Sequence, residues 1–469
     1  MIQLLTASTL FQVASLAAIV DADALPATGG ERVLLLVDGS QQPELTGRIQ
    51  DSPGFTDLCR RFDRVVDLGE LIYPRRPAQF DPREEDLYLW ERLLRRYFGL
   101  GDERLQLLVD SIQANPTRAM LRIFHDAPFM VHSDGLMSYG PTRNLLPPAL
   151  RQRLDGLLYV DLLPGLKPLL LREFTPRLLP VPTEPLAAVI DELARSTPLS
   201  WPAPGIDPPE AHRSTAMILG QYLAHLGLMD DEEEGALHRE MVHEAHRRGA
   251  TRIVFKPHPS AGPASGREMA RDAEALGMHF TVLADPLLAE VAVAIIRPEL
   301  VISCFSTALA SIRCLFGIDC AAVGTESMLE RLTPYENSNR IPVTLIDAVV
   351  RRRVPLPADD PDGSAGALAQ LTTAVGYCMQ PLRLAAEEES VRNFLETGYI
   401  RFAEYFKRRR LTRLALPGGL PPRPGATGAW GIALRLNRHL PAPLRRPLRR
   451  TVGRLPRRLV QKASRVGRV

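Results

Sequence analysis

The side chain best placed for chemistry is a histidine held between two prolines, in Lys256-Pro257-His258-Pro259. The apolar residues before it, Arg252 to Phe255, read as a strand. The two prolines restrict the backbone on both sides of His258, which fixes it at that strand's carboxyl end. In open α/β sheets ligands bind at this end. A histidine there can donate to a phosphate or protonate a leaving group, or it can simply satisfy nearby backbone. Lys256 is one of four lysines in a chain with 53 arginines.

A second strand, Leu300 to Ser303, passes through Cys304 and Phe305 into Ser306-Thr307-Ala308-Leu309. A helix beginning here presents free N–H groups and a positive dipole end to an anion. Ser303, Ser306 and Thr307 add hydroxyls, and N-capping alone is the plainer account of them. His132-Ser133-Asp134-Gly135 offers a carboxylate, Asp134, that can serve as a general base. Asp-Gly is also an ordinary turn. Gly220-Gln221 ends a further strand. The glycine permits close approach of a ligand to the backbone, and Gln221 can reach it.

These motifs need strand ends to carry them, and the rest of the chain supplies two series of such ends. The first contains strands at Ile2–Leu5, Val33–Val37, near Val65–Leu68, at Ala119–Phe124 and at Leu157–Leu162. A helix capped by Thr9 runs through Val20, and helical periodicity covers 87–112 with a break at Gly99-Leu100-Gly101. The second series has strands at Ala216–Gly220, Arg252–Phe255, Phe280–Leu283, Leu300–Ser303 and Ala321–Val323, with a helix over Glu234–Arg248. Proline concentrates between Thr175 and Pro209. Alternating strands and helices predict parallel sheets covered on both faces, here two Rossmann-like domains facing a central cleft. The expected boundaries are 1–185 for the acceptor-side domain, 186–210 for a linker and 211–385 for the nucleotide-sugar domain. A closing helix, read over Glu387–Phe406, occupies 386–412, and a Pro/Arg-rich basic tail occupies 413–469.

Composition narrows the class. The chain has 469 residues, 45% hydrophobic and 24% charged, as two soluble domains require. No apolar run reaches the roughly 18 residues of a membrane span. Leu10–Val20 lacks the basic start of a signal peptide, so a cytoplasmic place is expected. The five cysteines lack metal-ligand spacing, and a reducing compartment suits them. Beyond Tyr405 there are 18 basic and no acidic residues, leaving 39 basic against 54 acidic in the body. The tail interleaves arginines with Leu448, Val452 and Leu455, a pattern suited to an anionic membrane surface. With Trp430 the only aromatic residue past 406, stacking on nucleic-acid bases is poorly supported. Asp21/Asp23 and His238, His243 and His246 do not amount to a metal site, and Glu299 reads as a surface residue.

The ordered set Ser8-Thr9, Asp134-Gly135-Leu136, Gly220-Gln221, Lys256-Pro257-His258-Pro259 and Ser303 to Thr307 resembles the bacterial α-2,8-polysialyltransferases. The resemblance runs from about residue 1 to about residue 400. It implies GT-B architecture and an inverting sialyltransferase acting in surface polysaccharide synthesis. The implied donor substrate is CMP-sialic acid, with no cofactor and no metal. The implied acceptor is a glycan or a lipid-linked glycan. By resemblance Asp134 and His258 are catalytic. Gly220, Gln221, Lys256, Ser303, Ser306 and Thr307 bind nucleotide and phosphate, and Ser8, Thr9 and Gly135 lie on the acceptor side. One departure stands out. Ser133 occupies the first acidic position, where the family usually carries the base, and a serine does not accept a proton in that way. That leaves Asp134 as the base, His132 assisting, another nucleotide sugar as donor, or a chain that binds nucleotide without transfer.

Overall fold

A computed structural model describes residues 1–38, 47–198, 215–258, 266–359 and 366–421. Residues 1–394 form one compact unit, and residues 395–469 form a second. The first unit contains two wholly parallel sheets. One has the order β3-β2-β1-β4-β5-β6-β7. Its strands are β1 (Ile2–Ala7), β2 (Arg32–Leu36), β3 (Arg64–Asp67), β4 (Leu105–Val109), β5 (Phe129–Ser133), β6 (Leu154–Val160) and β7 (Arg177–Val181). The other has the order β10-β9-β8-β11-β12. Its strands are β8 (Thr215–Leu219), β9 (Arg252–Lys256), β10 (His279–Val282), β11 (Leu300–Ser303) and β12 (Asp319–Ala322).

The strand order follows from burial. Parallel strands covered on both faces need nearly continuous apolar runs. β1, β4, β8 and β11 are buried along their whole lengths and sit centrally. β3 and β10 carry exposed positions and lie at edges. Gln3 and Gln106, polar intruders on β1 and β4, bond each other at 2.9 Å, and Gln3 also donates to Pro26 O. Both sheets reverse direction beside their first strand. The turning points fall between β1 and β4, and between β8 and β11, so the crevices for ligand open there.

Three expectations about elements change. Residues 119–124 lie in a helix, Thr117–Ile123, not a strand. Its apolar residues all fit one buried cluster, so periodicity over so short a run could not tell helix from strand. The periodic stretch 87–112 splits into a helix, Leu87–Tyr97, and strand β4. Gly99 and Gly101, both at positive φ, make the turn between them. The segment 175–198 is ordered as β7 and the helix Thr183–Ser196, where proline content suggested a connector. Pro180 is tolerated because β7 is an edge strand.

That helix joins the two halves. Leu186, Val189, Ile190 and Leu193 form its buried stripe, each side chain worth about 1.5–3 kcal/mol of burial. It packs against the helix Leu10–Asp21 of the first half and against helices Ala289–Ile296 and Ala308–Phe316 of the second. The helix Glu388–Gly398 is shorter than the closing helix expected, since a 3-10 segment, Tyr399–Tyr405, kinked at Phe402, follows it. A last helix spans Arg408–Leu414. The basic stretch beyond 421 lies outside the described residues. Among the described residues no helix is long and apolar enough to cross a membrane.

Candidate active site

The first crevice is organised by a carboxylate that sequence reading passed over, Asp110, just after β4. Its Oδ1 accepts from Thr117 Oγ1 at 2.6 Å and from Thr6 Oγ1 at 3.1 Å. Ser8 Oγ lies 3.0 Å from its Oδ2 and 2.8 Å from Gln12 Oε1, so one proton is shared between two acceptors. Ser8 N also donates to Gln12 Oε1, at 2.8 Å. Thr9 caps the helix through Gln12 N. Ser8 and Thr9 are thereby held at the end of β1, with Asp110 tying that end to β4.

Asp134 follows β5, two strands from β1, and is half-buried. Because the Gln12 carbonyl is taken by Ser8, its Nε2 is the group left to face Asp134, whose ionised form Gln12 favours. Burial pushes the Asp134 carboxyl above the ordinary aspartate range, and Asp110 adds to this. The nearby His132, a backbone N–H and Gln12 oppose it. His132 is buried, with Nε2 2.9 Å from Thr6 O. A carbonyl only accepts, so Nε2 carries the hydrogen in this contact. Ser133 is half-buried at the strand end.

The second crevice is built from the ends of β8, β9 and β11. Gly220 N donates to Lys256 O at 3.0 Å. A Cβ at Gly220 would meet the Phe255 ring at 3.3 Å and His258 N at 3.4 Å, so glycine lets the two strand ends approach. Gln221 Oε1 accepts from Phe305 N at 2.7 Å and lies 3.1 Å from Ser303 Oγ. Ser303 is fully buried, and its hydroxyl donates to Leu219 O at 2.8 Å. Its hydroxyl therefore bonds within the protein. Ser306 Oγ accepts from Ala308 N at 3.3 Å. Thr307 is the N-cap residue of the helix Ala308–Phe316, without a side-chain cap bond.

His258 is enclosed by groups that lower its basicity. Burial is the main cause, Lys256 and His225 add to it, and Glu234 opposes. The imidazole is therefore neutral at pH 7. Tyr222 stacks on His258 at 5.8 Å and on His225 at 4.7 Å. Tyr222 holds φ at +55°, a left-handed conformation costing about 1 kcal/mol or more for a side chain of this size. Glu234 secures this loop by accepting from Leu223 N at 2.7 Å and Ala224 N at 2.9 Å. The acidic run 230–234 has the composition of a solvated helix start. Asp230 and Glu233 do form a capping box there, but Glu234 turns inward. Pro259 lies outside the described residues.

Lys256 is buried and donates to Asp285 O at 3.3 Å. Burial lowers its pKa to about 8, against the opposing pull of Asp285 and Glu290. Glu290, also buried, accepts from Ser311 Oγ at 2.5 Å. Its carboxyl is pushed up by burial and, further down the order of causes, by Asp134 of the other half. A second contact crosses between the halves, since a Cβ at Gly135 would lie 3.4 Å from Thr307 Cγ2. The fold thus brings Asp134 and Gly135 to Thr307, with Glu290 within electrostatic reach. Ser8 and Thr9 stay with Asp110 on their own side.

Among the described residues no group of three or more His, Cys, Asp or Glu side chains could hold a metal ion. Cys304 is buried, and burial raises its thiol well above the ordinary range. A pocket of about 240 Å³ lies elsewhere, beside Arg313, Asp319 and Arg353. It sits at the amino end of β12, the pole of the sheet opposite Ser303.

The model of one protein family, alpha-2,8-polysialyltransferase, matches residues 3–324. Among curated proteins none matches the sequence. The solved structures to which the chain is similar share little sequence with it. The α/β-galactoside α-2,3-sialyltransferase of Photobacterium phosphoreum is 11% identical, with 66% of this chain and 87% of that chain covered and a TM-score of 0.32. Acinetobacter baumannii MurG is 12% identical, with coverage of 86% and 97% and a TM-score of 0.36. Escherichia coli ADP-heptose LPS heptosyltransferase II is 12% identical, with coverage of 68% and 83% and a TM-score of 0.30. The assignment rests on the family match, with which the two parallel sheets agree. The chain belongs to the alpha-2,8-polysialyltransferase family and is a sialyltransferase-type glycosyltransferase.

Proposed function

We propose that this glycosyltransferase moves sialic acid from CMP-sialic acid to a glycan hydroxyl in a single inverting displacement, with Asp134 as general base. The observation that carries this reading is the approach of Asp134-Gly135 to Thr307 across the two halves. It joins a carboxylate of raised pKa to a strand end rich in hydrogen-bond donors.

Ionised Asp134 removes the proton of the acceptor hydroxyl as that oxygen bonds to the anomeric carbon of the sugar. The bond from this carbon to the CMP phosphate oxygen breaks, and its electron pair leaves with the phosphate. A carboxyl of raised pKa is a stronger base once ionised. The departing charge is met by the N–H of neutral His258, the hydroxyls of Ser306 and Thr307, and amides at the helix start. Gln221 Oε1 is occupied by Phe305 N, which leaves its Nε2 as a donor toward the phosphate. Gly220 and Ser303 hold the strand ends that carry these groups, and Lys256 adds positive charge beneath them. Ser8, Thr9 and Gly135 border the acceptor. No metal enters the reaction.

The acceptor in this reading is a glycan or lipid-linked glycan, met at the inner face of the cell membrane, and the arginine-rich C-terminal stretch supports that location. Ser133 at the first acidic position motivates one rival, a protein that binds nucleotide without transfer.

Titration with CMP, with UDP and GDP as controls, tests the donor class. The expected result is selective CMP binding, weakened about tenfold or more in His258→Ala by loss of a charge-assisted hydrogen bond. CMP release from CMP-sialic acid by the wild type, lost in Asp134→Asn, supports transfer. Selective binding without any CMP release favours the rival, and absence of CMP preference overturns the donor assignment.

A further inference from the structure

The helix Leu87–Tyr97 turns one apolar face inward, where Leu94 is fully buried and Leu87 and Trp90 pack on the core. Its outer half should then be polar, and it is not. Leu89, Leu93 and Tyr97 form an exposed row at four-residue spacing, at 56%, 42% and 55% exposure. Beside it runs a second row of equal spacing, Tyr88, Arg92 and Arg96, also exposed. At 100° per residue these six cover about half the helix circumference. No acidic residue within the helix falls on this arc, and the acidic turn Glu84-Glu85-Asp86 lies only at its amino end. Glu91, at its margin, is paired with Arg95 at 2.9 Å. Arg92 and Arg96 have no carboxylate partner among the described residues.

We propose that this outer face docks on an anionic lipid bilayer. Apolar and tyrosine side chains on one side of a helix, with arginines on the other, are what an interfacial helix presents to lipid. Tyrosine suits the headgroup boundary because its ring is apolar and its hydroxyl wet. The two arginines lay their aliphatic stems along the same surface and direct charge to lipid phosphates. A second copy of this chain fits poorly. A two-fold contact through this arc sets arginines against a face with no carboxylate. The helix belongs to the first half, far in sequence from the arginine-rich C-terminal stretch, so this surface is separate from any contribution of that stretch. It also stands apart from the choice of sugar donor.

The test is co-sedimentation of the full-length protein with vesicles of phosphatidylcholine plus phosphatidylglycerol, against phosphatidylcholine alone. Two double variants are compared, Arg92→Gln with Arg96→Gln, and Leu89→Ser with Leu93→Ser. All four positions are exposed, so thermal melts should match the wild type. At about 1 kcal/mol per near-surface charge, the arginine pair should weaken binding about thirtyfold. The leucine pair should weaken it comparably, while CMP binding is unchanged in both. Wild-type affinity for anionic vesicles in both variants overturns the proposal and assigns binding to the C-terminal stretch. Absence of anionic-vesicle binding also overturns it, as does concentration-dependent self-association abolished by the leucine variant, which makes the face a contact between copies.

Discussion

Gln12 should set the pH at which the enzyme starts to work. Its amide is oriented by Ser8, whose N and Oγ both approach Oε1 at 2.8 Å. The Nε2 that remains faces Asp134, and Gln12 favours the ionised carboxylate. A hydrogen bond to a charged group contributes about 1.5–3 kcal/mol, and Gln12, the smallest of the causes acting on Asp134, is expected at the low end of that range. The sign follows from the charge. Removing a donor destabilises the carboxylate, so Gln12→Ala raises the pKa of Asp134 and moves the acid limb of the rate profile to higher pH. Gln12→Glu should move it further. Glutamate retains an acceptor for Ser8 and turns a second negative charge toward Asp134, so it separates loss of the donor from loss of the Ser8 contacts. The assay is CMP release from CMP-sialic acid with an acceptor, followed across pH for the three proteins. The expected order of the limb midpoints is wild type, Gln12→Ala, Gln12→Glu, with the high-pH plateaus reduced far less than the rates at low pH. Coincident midpoints would refute Gln12 as the group that tunes Asp134. A uniform fall at every pH would show that Gln12 only holds the Ser8 loop.

Three other perturbations follow from single contacts. Glu234→Ala leaves the buried Leu223 N–H and the half-buried Ala224 N–H without their acceptor; it should destabilise the fold by about 3 kcal/mol in urea denaturation and weaken CMP binding by loosening Tyr222. Ser303→Ala should cost about 1 kcal/mol of stability with little change in CMP affinity, because its hydroxyl bonds within the protein, whereas Thr307→Val should weaken CMP binding without loss of stability; the reverse pattern in calorimetry would exchange their roles. Arg340 is fully buried, donates to the carbonyls of Tyr335, Leu329 and Leu332, and lies over the Tyr335 ring. Arg340→Met leaves those buried carbonyls without their donor and should lower stability by about 3 kcal/mol, and a denaturation midpoint unchanged from wild type would contradict that role.

Much of the architecture is legible in the sequence because parallel central strands must be apolar along their length. β1, β2, β8, β9 and β11 announce themselves in this way, and the helix capped by Thr9 does too. What hides is whatever depends on the third dimension. The residues 119–124 are equally apolar as helix or strand, and only their fit in the buried cluster, beside the helix Leu87–Tyr97, decides. Pro180 and Pro182 resemble a connector until the edge position of β7 makes one of them harmless and the start of a helix uses the other.

The site divides along the same line. A motif read along the chain identifies strand ends, and in a parallel sheet every strand end faces the ligand side. Asp134, His258 and Thr307 are legible as candidates for that reason. Such reading cannot tell which polar atoms the protein has already satisfied. Ser303 and Thr307 look alike in sequence. Yet Ser303 Oγ donates to Leu219 O, while Thr307 stands against Gly135 of the other half. Nor can it reveal groups that act through others. Gln12, Asp110, Glu234 and Glu290 lie in no motif, and each is defined by a partner distant in the chain or by a turn of its helix inward. Asp110 alone carries a readable signal, a carboxylate directly after an apolar strand, the same signal that marks Asp134. The serine at position 133 is then less disruptive than it looks from sequence. A base needs a carboxylate, a donor that orients it and a neighbour that raises its pKa. Asp134 has a carboxylate raised by burial and Asp110 and eased by Gln12, so in the proposed reaction it can take the part of an acidic residue at position 133.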